Sequence, residues 1–426
     1  MPSAAMSGPS PGLSSSGSSR RKLLGAWYTP AELVDHVVAI TCAGIDVHSD
    51  RPIKVLDPAC GDGRFLSAVA ERFGGTVELT GVDIDPAAVT ASRERLPDAE
   101  IVLADALDHP WGDRRFDVVI GNPPFLNQMS SATSRGGRSR FGGGPYADVA
   151  AEFLALAVNL ARDVGGRVGL VLPQSMLSTR DVAPIRDQVL QRTSMTHLWW
   201  SNTPMFDATV RTFAAVLEVG AVSGPVVRTF GPRFEAASSA PPAVLTSGSW
   251  AALLLDDVRL PAAAAGGVLG DIASFVVDFR DQYYGLVGAV GDDVDGPPLI
   301  TSGLIEPGRC LWGERTTRFA KQRYAAPRVD LARLSPRMQD WARRRLVPKL
   351  LIANQTQIIE AVADPEGTWL PSVPVITCIT DVADDVAHVL ASDRATQWVG
   401  HRAAGSGLSA RSVRLSPALL ASIPLG

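Results

Sequence analysis

The chain has 426 residues, 46% hydrophobic, 20% charged and 6% aromatic, with a net charge of −4: the composition of an ordinary globular protein with room for two or three domains. No apolar run approaches the roughly 18–20 residues of a membrane span. Cys42, Cys60, Cys310 and Cys378 are scattered, which argues against zinc spacing or a disulfide framework and fits a reducing cytosol.

Residues 1–20 are mostly Ser, Gly, Pro and Ala without an apolar core, and read as a disordered tail rather than a signal peptide. Thr29-Pro30-Ala31-Glu32 reads as a capping box with proline at the first helical position, opening an apolar helix through Ile40. Strand and helix then alternate. Ile53–Leu56, Val77–Val82, Ile101–Ala104 and Phe116–Ile120 are predicted strands; Arg64–Phe73 and Pro86–Leu96 are predicted helices. Residues 128–144 carry Ser, Gly and Arg with no apolar pattern and read as a mobile loop. An amphipathic helix over Val149–Val164 and strands at Arg167–Leu172, His197–Ser201 and Thr212–Val219 follow. Such alternation predicts an α/β fold: a doubly wound, mostly parallel sheet with helices on both faces. The predicted division is a catalytic domain over 21–225, an irregular linker over 226–265 and a second, mixed α/β domain over 266–426.

Four of these strands end in groups able to bind a ligand, and ligands of open α/β sheets lie across the carboxyl ends of the strands. After the first strand, Asp57-Pro58-Ala59-Cys60-Gly61-Asp62-Gly63 opens a helix whose amino terminus favours a carboxylate or phosphate. Leu66 stands where a third glycine would complete the dinucleotide fingerprint, so that reading does not apply. The second strand ends at Asp83-Ile84, where a carboxylate can accept both ribose hydroxyls of a nucleoside and an apolar side chain can face its base. Asp105 closes the third strand and could accept from an adenine amino group. The fourth runs into Asn122-Pro123-Pro124-Phe125. Its two prolines stiffen the loop, leaving an amide and a carbonyl as acceptors beside an aromatic ring.

The order Tyr28-Thr29-Pro30, DPACGDGRFL at 57–66, GVDIDP at 81–86, Ala104-Asp105 and GNPPF at 121–125 strongly resembles the N6-adenine DNA methyltransferases of the γ motif order. The likeness covers residues 27–220 or so. It implies a Rossmann-like core that binds S-adenosylmethionine, a target-recognition domain behind it, and a target adenine flipped out of double-stranded DNA. Carried over by position, Thr29, Asp57, Ala59, Gly61 and Gly63 would surround the methionine part of the cofactor. Asp83 would take the ribose, Ile84 would pack on the cofactor adenine, and Asp105 would bind its amino group. Asn122 would also line the cofactor pocket, and with Pro123 would accept from the target amine, with Pro124 stiffening the loop. Phe125 would stack on the base, and Phe206 would be a second aromatic on its other face. No metal is implied.

Twelve basic residues against three acidic over Arg309–Lys349, a surplus of nine, predict a local polyanion footprint. The expected DNA contacts are Arg315, Arg318, Lys321 and Arg323 there, with Arg135, Arg138 and Arg140 in the loop after NPPF. No Asp/Glu-x-Lys occurs, so a fused nuclease of the common restriction type is not expected, and any restriction endonuclease would be a separate protein. Protein-glutamine methylation, RNA-base methylation and a catalytically silent DNA-binding subunit are the competing readings.

Overall fold

The computed structural model describes residues 29–45, 51–125, 139–144, 147–203, 205, 210–245, 248–255, 266–407 and 412–426. Phe206, Arg135, Arg138 and the tail over 1–20 lie outside these. The chain divides into two compact units, the first reaching Met176 and taking in Arg180–Pro242, the second holding Leu177–Thr179 and Ala243–Gly426.

In the first unit the helix α1 (Ala31–Thr41) leads into β1 (Ile53–Asp57), α2 (Arg64–Phe73), β2 (Val77–Asp83), α3 (Pro86–Arg95), β3 (Glu100–Leu103) and β4 (Val118–Gly121). Then come α4 (Val149–Leu160), β5 (Arg167–Pro173), α5 (Ala183–Arg192), β6 (Thr193–Trp200), β7 (Thr212–Val219), β8 (Val226–Phe230) and β9 (Glu235–Ala240). One nine-stranded sheet results, in the order β3-β2-β1-β4-β5-β7-β6-β8-β9. Strands β1 to β5 pair in parallel, and β7 runs antiparallel between β5 and β6. The strand order reverses between β1 and β4, the crevice where a doubly wound sheet binds its ligand.

Most predicted elements form within a residue or two of their predicted ends, and three readings change. Pro30, not Thr29, stands at the cap of α1 with no side-chain capping bond, so the capping box does not form. The helix predicted over Val149–Val164 stops at Leu160, and its Glu152 is buried, accepting from the Ser139 hydroxyl and the Arg140 backbone N–H. The stretch 226–265 is not an irregular linker in its first part. There β8 and β9 extend the sheet, and the unit ends at Pro242 instead of near 225. The reason is legible in β9: its sequence, EAASSA, is an exposed edge strand without apolar alternation.

The β8–β9 turn returns to α1. Phe234 stacks on His36 with ring centroids 4.1 Å apart and planes 13° apart, and the His36 ring nitrogen meets the Thr229 hydroxyl at 3.1 Å. Burial, reinforced by His197, lowers the His36 pKa to about 4, so the ring packs as a neutral group. Leu33, Val34, Val37 and Val38 of α1 are buried with Val55, Leu66, Val118, Ile120 and Trp199 in one core. Thr29, which precedes the Pro30 cap of this helix, is thereby tied to the sheet.

The second unit holds a four-stranded antiparallel sheet made of β10 (Ser274–Val277), β13 (Lys349–Ile352), β14 (Ala361–Asp364) and β15 (Ile376–Ile379), in the order β10-β15-β13-β14. Strands β11 (Thr317–Phe319) and β12 (Gln322–Tyr324) form a separate hairpin within it. Lys349 and Asp364 form a buried ion pair at 2.5 Å, and Asp364 also accepts from the Thr368 and Trp369 backbone N–H groups. The apolar run at the chain's end is core: Leu420 and Ile423 are buried among Leu350, Ile376 and Trp398.

Candidate active site

The carboxyl ends of β1, β2, β3 and β4 bring the predicted cofactor and target residues together. Asp57, at the end of β1, is 1% exposed, and one carboxylate oxygen accepts from the Ala59 N–H at 3.0 Å. Burial pushes its pKa up to about 8; the Ala59 hydrogen bond opposes this and the nearby Asp83 charge adds to it. The turn that follows needs its glycines. Gly63 has φ +82°, and a Cβ there would lie 2.7 Å from the Ser92 hydroxyl. Gly63 caps α2 without a side-chain bond, which leaves that amino terminus to a ligand. Arg95 of α3 donates to the Asp62 carbonyl at 2.8 Å and, with Arg64, holds the Asp62 carboxylate.

Asp83 ties this turn to β2. One of its oxygens accepts from Gly61 N–H and the other from Asp85 N–H, each at 2.8 Å. A carboxylate offers about four acceptor positions, so capacity for ribose hydroxyls remains. Burial raises its pKa, against the hydrogen bonds from Asp85 and Gly61. Ile84 beside it is 58% exposed, an apolar face presented to solvent at the strand end. Asp105 is half-buried and accepts from the Leu107 N–H at 2.9 Å.

The fourth strand delivers the NPPF loop against these groups. Gly121 has φ +156°, and a Cβ there would lie 2.4 Å from the Asp57 carboxylate oxygen. The backbone at Gly121 thus rests on the Asp57 carboxylate. The next residue, Asn122, donates its amide N–H to the Thr29 hydroxyl at 3.0 Å, and Thr29 is buried. Pro123 is buried, Pro124 is half-buried, and Phe125 is half-buried against the core. Sequence reasoning missed Gly121, Arg64 and Arg95. The signal for Gly121 was a glycine closing a strand directly before the asparagine. Cys60 is buried and its thiol pKa is pushed up by burial, as for a small packing residue.

The predicted DNA contacts fare differently. The Arg140 guanidinium is bound to Asp108 and to the Leu107 carbonyl, which sets it beside the loop after β3. Arg315 pairs with Glu306 at 2.5 Å. Arg318, Lys321 and Arg323 are exposed on the β11–β12 hairpin.

Residues 55–135 match the family described as methyltransferase domain, and residues 98–205 match the Eco57I restriction-modification methylase family. The chain is 29% identical over 196 residues to the type II methyltransferase M.TthHB8I of Thermus thermophilus, covering 42% of this chain and 41% of that one. It is 25% identical over 166 residues to the type II methyltransferase M.CvrRI of Paramecium bursaria Chlorella virus XZ-6E, covering 39% and 40%. It is also 36% identical over 102 residues to the ribosomal RNA small subunit methyltransferase C of Cronobacter sakazakii, covering 21% and 29%. The matched region thus spans about two fifths of the length of the type II relatives. The fold is similar to that of the type IIL restriction-modification enzyme MmeI, solved in complex with DNA. The TM-score is 0.54 at 13% identity, over 92% of this chain and 64% of that one.

The strand-end site lies in an α/β sheet whose residues 55–135 resemble a methyltransferase domain, and its cofactor is S-adenosylmethionine. Its sequence relatives include restriction-modification methylases. The residues fit that cofactor. A buried carboxylate with its pKa raised suits a ligand carrying ammonium and sulfonium charge, while Asp83 and Ile84 offer acceptors and an apolar face for a nucleoside.

Proposed function

We propose that this protein transfers a methyl group from S-adenosylmethionine to the N6 amino group of adenine in a specific sequence of double-stranded DNA, with the target base turned out of the helix. The observation that carries this reading is the junction of Asp57, Gly121, Asn122 and Thr29. The asparagine meant for the target amine follows directly on the glycine that rests on the cofactor carboxylate. Donor and acceptor pockets so close together suit transfer to a planar amine.

The cofactor supplies an electrophilic methyl group on a sulfonium sulfur. Asn122 and the Pro123 carbonyl accept the two N–H bonds of the adenine amine. This draws nitrogen lone-pair density out of the ring and toward the methyl carbon. Bound so, the amine is held in line with the carbon–sulfur bond, an orientation worth several kcal/mol. The nitrogen that accepts the methyl group would carry one proton too many, and Asn122 and the Pro123 carbonyl would pass it to solvent. The Phe125 ring stacks on the turned-out base. On this reading the unit that ends at Pro242 is the catalytic part, and a target-recognition part lies within 266–426. The enzyme works in the cytoplasm, and a separate endonuclease could share its recognition sequence. Among the described residues no helix is long and apolar enough to cross a membrane.

RNA bases are the second reading, because a ribosomal RNA methyltransferase is among the relatives. Tritiated cofactor offered with unmethylated genomic DNA, transfer RNA and release factor together separates the readings. Label in DNA as N6-methyladenine is expected; label in RNA or protein alone would overturn the proposal.

A further inference from the structure

The basic segment over 309–349 is not one diffuse cationic surface. Arg309, Arg315, Arg333, Arg337, Arg343, Arg345 and Lys349 each pair with a carboxylate. Arg328 donates to the Gly296 carbonyl and lies over the Trp312 ring at 4.7 Å. Arg318, Lys321, Arg323 and Arg344 have no carboxylate partner among the described residues, and three of these four sit on the hairpin β11–β12.

Within the hairpin Arg318 and Arg323 are directly opposite one another in the antiparallel register, both exposed. Opposed residues hold their Cβ atoms about 4.5–5.5 Å apart, and like charges so placed repel. The turn between them is two residues long, Ala320 and Lys321, with φ of +47° and +67°. Both values lie in the left-handed region of a type I′ turn, a position ordinarily filled by Asn-Gly. The hairpin is anchored from below. Phe319 is buried against Tyr283 with centroids 5.0 Å apart, and the Thr317 hydroxyl meets the Thr301 hydroxyl at 2.5 Å. A rigid ribbon therefore presents two opposed guanidinium groups, with an ammonium at its tip.

We infer that this hairpin is an anion clamp in which Arg318 and Arg323 together grip one phosphate of the DNA backbone; the inference rests on the DNA reading above. A phosphate carries the full negative charge that relieves repulsion between the two arginines and accepts from both. A guanine edge carries no net charge and engages a single guanidinium.

The test measures binding of the full chain to a short fluorescent DNA duplex carrying a methylated site mapped by sequencing, across salt from about 50 to 200 mM. For R318Q/R323Q the log–log salt slope should become shallower by about one, the contribution of one phosphate. Each single variant should lose nearly as much as the double, and the methylated sequence should stay the same. In R318E the opposed charges become complementary, so the melting temperature should rise while the salt slope falls. An unchanged slope would overturn the clamp. So would a loss of about two in the double variant, which means two separate phosphates, or a changed preference at one base pair, which means base reading. Wild-type protein that neither binds the duplex nor labels DNA would sink the DNA reading itself.

Discussion

Asn122 donates its side-chain amide to the Thr29 hydroxyl across 3.0 Å, joining the end of β4 to the residue before the Pro30 cap of α1, 93 positions earlier in the chain. A carboxamide whose nitrogen faces one way has its oxygen facing the other. Thr29 therefore sets the direction of the Asn122 acceptor. The docking of Phe234 on His36 holds α1, and with it Thr29, in place. A hairpin at the far edge of the sheet thus supports the orientation of a group at its centre.

Replacing Asn122 by alanine should abolish methyl transfer while cofactor binding persists, because Asn122 is assigned to the target amine. Loss of one preorganised hydrogen-bonding group at a reacting centre lowers turnover by about 10²–10³-fold. Thr29→Val keeps the shape and removes the hydroxyl. Its kcat should fall by about fivefold with KM for the cofactor little changed, the effect of one hydrogen bond of about 1 kcal/mol. Single-turnover assays with equilibrium cofactor binding check both; loss of cofactor binding in Asn122→Ala would move that residue out of the target pocket.

Gly121→Ala places a methyl group where the Asp57 carboxylate lies, 2.4 Å from its oxygen. Overpacking of this kind costs about 1–3 kcal/mol, and here it also displaces the Asp57 carboxylate, which is proposed to meet the cofactor. The variant should melt earlier and lose cofactor affinity in step. A melting curve with and without cofactor measures both, and a variant that melts early yet is stabilised normally by the cofactor would separate Gly121 from Asp57.

The strand ends were legible because each joins a buried apolar run to a polar residue, as at Val55-Leu56-Asp57 and Val118-Val119-Ile120-Gly121-Asn122. What the sequence could not show was which partner each polar group takes. Thr29 sits in a pattern that reads as a helix cap, yet its hydroxyl serves Asn122, a pairing set by tertiary packing alone. Strand β9 escaped notice because its alanines and serines lie on an exposed edge, where no alternation is required. In the basic segment charge counting could not tell Arg315, which pairs with Glu306, from Arg318, since pairing depends on which loops meet.

Phe125 is assigned to stacking on a turned-out base, and stacking of a base on an aromatic ring is worth about 1–3 kcal/mol. Phe125→Ala should weaken binding of target DNA by about tenfold or more, and Phe125→Tyr should retain it. With 2-aminopurine at the target position, wild-type protein should raise the fluorescence as the base leaves the stack. The same brightening in the absence of target-site binding would count against the assignment. Because Phe125 also packs on the core, Phe125→Ala should lower the melting temperature as well.

Asp57 gives the site a pH dependence whose sign is fixed. Its carboxyl ionises near 3.8 when unfolded, whereas burial pushes it up to about 8 in the folded protein without cofactor. Between about pH 4 and 8 the folded state therefore holds a proton that the unfolded state has released. Its contribution to stability is present below pH 4 and is lost as pH rises toward 8. On the proposed placement, bound cofactor, positively charged, would favour the ionised carboxylate and expel that proton. Cofactor affinity should rise by up to about tenfold per pH unit from 6 and level off near 8, with proton uptake by the buffer visible in calorimetry. Asp57→Asn should flatten the decline in melting temperature between pH 5 and 8 in the cofactor-free protein. It should also remove both cofactor affinity and its pH slope. Wild-type affinity that stays level from pH 6 to 8 would show that Asp57 is already ionised or does not meet the cofactor.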